Sequence, residues 1–195
     1  MSLAGLIENQ LRLRESGWWN RLCEIIPELR ALPGTPQPAE HHAEGDVAIH
    51  TRLAVAACPV DCDPDLLWVA LLHDIGKPAT TQQDATGRIT AHGHAKLGAA
   101  MAADILGRLG MCEQRRARIV WVIRHHGFHH SWQLTRIRNA TRRQLAYVVN
   151  PAFPLLLEFL RVDTLASHGK RQGLETYDFY CRLLRAVKQH GPGRG

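Results

Sequence analysis

The chain has 195 residues, 45% of them hydrophobic, enough for one domain with a sizeable core. It carries 24 Lys and Arg against 18 Asp and Glu, a net charge of +6 that favours anionic partners without singling out nucleic acid. No apolar run reaches membrane-spanning length and no signal peptide is evident. Five cysteines (Cys23, Cys58, Cys62, Cys112 and Cys181), without a CxxC pair, point to the reducing cytoplasm rather than to a disulfide scaffold.

Residues 3–30 read as helix, with Leu6, Leu11, Trp18, Leu22, Ile25 and Ile26 as apolar contacts. Residues 31–45 hold three prolines and two glycines and read as an extended loop. Asp46 is placed to cap a helix that carries His50 and runs to about Ala57. Asp63 caps the next, Pro64 begins it, and Leu66 to Leu72 is apolar almost all round, which makes it a core helix. His73 and Asp74 fall in its last turn, and Gly76 and Pro78 are expected to stop it. Residues 79–93 are polar and read as a loop. Helices follow from about His94 to Leu109, with Leu97, Met101, Ile105 and Leu109 at helical spacing, and from Glu113 to His126, ended by Gly127. An Arg- and His-rich connection spans 127–142, and helices are expected at about 141–149, 154–168 and 174–189. The fold class is all-α, a compact bundle of six to eight helices forming a single domain over 1–195. Its core lies at about 18–187, with a helical extension at 1–17 and a flexible tail at 190–195.

Twelve histidines are many for this length, and their placement matters more than their number. An ionisable side chain interrupts or ends an apolar helix at His50, at His73-Asp74, at His94, at His125/His126 and at Asp163. Burying an imidazole beside a carboxylate costs several kcal/mol unless both find partners, and a divalent cation partners both. One such residue is ordinarily a core histidine with a protein partner. Several on separate helices can be aimed by a bundle at one cavity. Two carboxylates with neutral imidazoles carry about −2, so two divalent cations leave a surplus of about +2 for a bridging hydroxide and an anionic substrate. One cation on His50, His73, Asp74 and Asp163 leaves the site nearly neutral. Imidazole-rich sites prefer Mn, Fe, Co, Ni or Zn to Mg.

The order His50, then HDIGK at 73–77, then Asp163 resembles the HD superfamily of metal-dependent phosphohydrolases. The strings EHHAEGDVAIHT (40–51), LLHDIGKPATT (71–81), GRITAHGHAKLGA (87–99) and RVDTLASHG (161–169) closely resemble the HD domain of bacterial tRNA nucleotidyltransferases, over roughly 18–187. The resemblance implies a first metal on His50, His73, Asp74 and Asp163. In two-metal members it implies a second on a His four residues before a Gly, matched by His94, and on a His ending the next helix, matched best by His126 with His125 as alternate. Asp46 sits where some members place a further acidic ligand, but its capping position already explains it. No Gly-Gly motif followed by strand-borne paired aspartates is present, so nucleotide addition is not expected of this polypeptide.

The implied activity is hydrolysis of phosphate esters of nucleotides or RNA ends (2′,3′-cyclic phosphate, 2′-phosphate or nucleoside monophosphate) by metal-activated water. Asp74 would bridge the metals and Lys77 would pair with a phosphate oxygen, with Lys96 and Arg124 as further substrate contacts or plain surface charge. His41 and His42 lie in the Pro-rich loop, and His92 could support a ligand from outside. His129, His130, Arg136, Arg138, Arg142 and Arg143 beside Trp132 read as a solvated basic face or as an RNA-phosphate contact. Trp18, Trp19, Trp68 and Trp121 read as core and capping contacts. The alternative to an enzyme is a non-catalytic nucleotide- or tRNA-binding module that keeps the same fold. Substrate identity, metal number and oligomeric state are open at this level.

Overall fold

The computed structural model describes residues 2–38, 45–129, 136, 140–167 and 171–190. His41, His42, His130, Trp132 and Arg138 lie outside the described residues, as does the segment 191–195. The described chain is helical apart from one short hairpin, in agreement with the all-α expectation. Among the described residues no single helix is long and apolar enough to cross a membrane.

The N-terminal stretch does not form one helix. It breaks into α1 (Leu3–Leu13), α2 (Trp18–Ile25) and a 3-10 turn (Pro27–Ala31). Arg14 turns left-handed at φ 48° and Gly17 at φ 75°, ending one helix and opening the next, and Pro27 starts the tighter turn. Leu11 is buried as expected, but Leu6 is exposed, and Ala4 and Ile7 complete the inward face of α1 in its place. α3 (Val47–Ala57) is capped by Asp46, whose side chain accepts from Ile49 N–H, and α4 (Pro64–Leu72) by Asp63, whose side chain accepts from Asp65 N–H. Every residue from Asp65 to Leu72 is buried, as an all-round apolar helix requires.

α4 ends at Leu72 with His73 as its C-cap, so Asp74 lies just past the helix instead of in its last turn, and Gly76 and Pro78 serve the next element instead of stopping this one. They open a short α5 (Lys77–Thr80), with Pro at a position where a missing N–H costs nothing. The 79–93 segment also holds more order than a loop: β1 (Gln82–Gln83) pairs antiparallel with β2 (Ile89–Thr90) around a turn in which Asp84 Oδ1 accepts from Thr86 and Arg88. α6 (His94–Arg108), α7 (Glu113–His125), α8 (Arg142–Val148), α9 (Phe153–Ala166) and α10 (Arg171–His190) follow. The splitting of the first helix and the appearance of α5 raise the helix tally above the expected range. Leu97, counted toward the α6 stripe, is exposed, whereas Ile105 and Leu109 are buried.

α9 is the hub. α3, α4 and α10 pack against it, and α6 packs on α7, which in turn lies on α4. One polar staple joins α1, α4 and α7. Buried Asp65 accepts from Arg115 Nε at 2.7 Å and Arg118 Nη1 at 2.8 Å, while Glu8 Oε1 accepts from Arg115 at 2.8 Å and from Trp68 Nε1 at 2.8 Å. Carboxylates bound this way by guanidinium groups form the stronger class of hydrogen bond.

The approach of α6 to the turn after α4 depends on Gly76. A Cβ at Gly76 would lie 2.5 Å from the His94 carbonyl oxygen and 2.7 Å from Gly98 N, both backbone atoms with little room to move. A Cβ at Gly98 would meet its nearest neighbours at 3.4 Å, an ordinary contact.

Two mutational outcomes follow from this packing. Asp65→Ala removes the buried carboxylate shared by two arginines, leaving Arg115 only Glu8 and Arg118 only Asp63, and should cost about 1–2 kcal/mol in urea unfolding, against less than about 1 kcal/mol for removing the exposed Glu113–Arg116 pair. Gly76→Ala should cost about 1–3 kcal/mol through overpacking, whereas Gly98→Ala, relieved by better helix propensity, should stay within about 1 kcal/mol of the parent.

Candidate metal centre

Helix ends supply three of the imidazoles. His73 is the C-cap residue of α4 and His126 that of α7, where the last carbonyls have no partner within the helix. His73 Nδ1 bonds the Ala70 carbonyl at 3.1 Å and His126 Nδ1 the Ile123 carbonyl at 2.7 Å. His94, first residue of α6, does the same with the Ala91 carbonyl at 2.7 Å. A carbonyl can only accept, so in all three rings Nδ1 carries the proton and a neutral ring keeps its lone pair on Nε2. Phe159 of α9 lies beneath two of them, with ring centroids 4.9 Å from His73 and 6.1 Å from His126.

These lone pairs converge on buried Asp74. Its Oδ2 is 3.1 Å from His73 Nε2 and 3.9 Å from His50 Nε2. Its Oδ1 faces the other way, 3.6 Å from His94 Nε2 and 3.9 Å from His126 Nε2. His50, buried on α3, meets Asp163 of α9 at 2.9 Å, and Asp163 Oδ1 is 3.8 Å from His73 Nε2. The ligand-type atoms thus form two sets that share Asp74: His50, His73 and Asp74, and Asp74, His94 and His126. Asp163, a quarter exposed, borders the first.

The residues fit a divalent cation. His94 Nε2 and His126 Nε2 face each other at 3.1 Å, although both Nδ1 protons are already committed to carbonyls. Two facing lone pairs repel unless a positive species sits between them. A proton there is disfavoured: burial pushes His126 down to about 3 and pushes His94 below its ordinary value, with Asp74 opposing in both. His73 Nε2 and both Asp74 oxygens are also buried without a well-formed hydrogen bond. Burial alone would raise the Asp74 carboxyl, but positive charge beside it, on His73 when that ring is protonated and on the Lys77 ammonium, holds it well below the usual carboxylate range. Asp163 is likewise opposed by burial and lowered by its His50 hydrogen bond.

The remaining candidates divide clearly. His125 is turned away, its Nδ1 3.0 Å from Tyr147 Oη and its ring against Trp121, so geometry separates it from its neighbour His126. Lys77 is buried, its Nζ 2.8 Å from Asp74 Oδ2 and 2.6 Å from Gln37 Oε1. Lys96 and Arg124 lie on exposed faces. Each stands two residues from a clustered histidine, about 200° around the helix. His92 is exposed. Asp46 has both oxygens engaged, by Ile49 N–H at 2.9 Å and Gly34 N–H at 2.7 Å. Trp68 and Trp18 are core residues, and Trp19 and Trp121 pack against that core. Gln37 was not anticipated. The available signal was weak: a lone amide between Pro36 and Pro38, which bias the chain to an extended form.

Comparison with known proteins agrees with this geometry. Residues 41–160 match the HD domain family, and Asp163 lies just past that segment. The "Multifunctional CCA protein" of Teredinibacter turnerae is 38% identical over 182 residues, covering 93% of this chain and 38% of the relative. The protein of the same name from Ralstonia nicotianae is 37% identical over 180 residues, 90% of this chain and 40% of the relative. The "A-adding tRNA nucleotidyltransferase" of Deinococcus radiodurans is 34% identical over 152 residues, 74% of this chain and 32% of the relative. The chain thus spans about two fifths or less of each of these relatives. A helical frame that turns its histidines on one shared aspartate, together with a family match over more than half the sequence, has a single reading: this chain belongs to the HD domain family.

Proposed function

We propose that this chain is a divalent-metal-dependent phosphohydrolase that cleaves phosphate esters of nucleotides or RNA termini, namely 2′,3′-cyclic phosphates, 2′-phosphates or nucleoside monophosphates. The observation that carries the reading is the two-faced environment of Asp74: one carboxylate oxygen toward His50 and His73, the other toward His94 and His126. His50, His73, Asp74 and Asp163 would hold one cation, and Asp74, His94 and His126 a second. Their imidazole-rich chemistry favours Mn, Fe, Co, Ni or Zn over Mg. Cations bound there supply Lewis acidity, lowering the pKa of water toward neutrality and offsetting charge on the phosphoryl group.

The chain's own residues do the rest. Backbone carbonyls at Ala70, Ala91 and Ile123 fix the imidazole tautomers and ring planes, which keeps the ligand atoms oriented before a cation arrives. Asp163 accepts a hydrogen bond from His50 Nε2 at 2.9 Å, and both atoms would be free to hold a cation once that proton is lost to solvent. Of the three Lys77 N–H donors, one is given to Gln37 Oε1 and a second faces Asp74 Oδ2, 2.8 Å away, as an ion pair rather than a well-formed hydrogen bond. The third is available as a point charge for a phosphoryl oxygen. The names of the relatives, which refer to CCA and tRNA, favour an RNA end or a nucleotide among phosphate esters. Five cysteines that are all free thiols suit a cytoplasmic setting.

The test is phosphate release from 2′,3′-cyclic AMP, 2′-AMP and deoxynucleoside monophosphates with added Mn, Ni or Co. At least one ester should be hydrolysed. Asp74→Asn should reduce that rate by more than the roughly 10–100-fold typical of losing an outer-shell partner. His126→Ala should lower bound metal by one ion in elemental analysis, whereas His125→Ala should not. A metal-loaded protein inert across the panel would leave a nucleotide- or tRNA-binding module instead.

A further inference from the structure

Gln37 stands on the segment between the 3-10 turn and α3. The start of this segment is tied to the beginning of α3 twice: Gly34 N–H donates to Asp46 Oδ2 at 2.7 Å, and Val47 N–H donates to the Thr35 carbonyl at 3.1 Å. Thr35 and Gln37 are buried while Pro36 between them is exposed, the alternation of an extended strand. The path therefore drives the Gln37 side chain inward, and the residue is 7% exposed.

Its amide orientation is set by chemistry. Lys77 Nζ is 2.6 Å away, and an ammonium has no lone pair to offer, so the amide oxygen must face it. The amide nitrogen then points elsewhere, and it is buried with no acceptor among the described residues. An orphaned buried donor of this kind is uncommon, because leaving one unmet is costly. Asp74 is 2.8 Å from the same Lys77 Nζ, so the amide that carries the orphan N–H group is joined to the shared carboxylate through Lys77 alone. What such a donor beside an ammonium group suits is an oxygen that is acceptor-only and negatively charged.

Resting on the phosphohydrolase reading, we propose that Gln37 is a substrate-binding residue: its side-chain Nε2 donates to a non-bridging phosphoryl oxygen and, with the free Lys77 proton, forms an anion cradle beside the metal centre. The amide oxygen has a second task, holding the Lys77 ammonium in place. Nothing at this position enters the metal sets themselves.

Gln37→Glu separates the two tasks. The carboxylate keeps an oxygen on Lys77 but replaces the donor by a second negative oxygen. On the 195-residue chain loaded with Mn, calorimetric titration with inorganic phosphate should show binding weakened at least about ten-fold, with metal content unchanged. If that variant does not fold, Gln37→Met, which also lacks the donor, should show the same loss. Equal phosphate affinity in the parent and variant overturns the contact, as does loss of metal from Gln37→Glu, which would make the residue a support of the centre. Absence of phosphate binding by the parent overturns it as well. Failure of the hydrolase reading is read separately: a parent that binds phosphate Gln37-dependently yet hydrolyses none of the esters loses the activity and keeps the cradle.

Discussion

Three imidazoles in this fold commit their Nδ1 protons to carbonyls three residues earlier: His73 to Ala70, His94 to Ala91 and His126 to Ile123. Everything distinctive about the site follows from that constraint. With Nδ1 occupied, Nε2 is the free end of each neutral ring, and helix packing turns these free ends toward Asp74. For His73 and His126 the carbonyl acceptors come from helix C-termini, where the backbone has acceptors to spare. A histidine at such an end satisfies the helix with one nitrogen and offers the other. The orienting bond and the ligand position therefore share one side chain.

The frame around the centre keeps this arrangement rigid. α9 contributes Asp163 from one turn and Phe159 from the previous one, so the carboxylate that meets His50 and the floor beneath two imidazoles move together. The close approach at Gly76 brings His94 to the far side of Asp74, and the Asp65 staple holds α7, with His126 at its end, against α4. Facing lone pairs at 3.1 Å between His94 and His126 are a strain that the apolar packing tolerates and a cation would relieve.

Much of this was legible in the sequence because polar residues in apolar helices are conspicuous. His50, His73, Asp74 and Asp163 stand out against runs such as LLWVALL and PLLLEFL. His125 and His126 could not be separated by periodicity, since both fall at the end of one helix. The Ile123 carbonyl and the Tyr147 hydroxyl separate them in space. Gln37 was invisible for a different reason: its role arises from a contact with Lys77 forty positions away, in a segment with no periodicity of its own. The N-terminal break was missed because apolar spacing continues through Arg14 and Gly17, whose left-handed backbone interrupts the helix without interrupting the pattern. The hairpin at Gln82–Thr90 is too short and too polar to leave a strand signature.

Anomalous diffraction at the manganese edge, from crystals grown with Mn, tests the convergence of these groups most directly. It should give two peaks flanking Asp74, one within ligand distance of His50, His73 and Asp163 and the other of His94 and His126. Strong anomalous density elsewhere on the molecule, with none beside Asp74, would contradict it.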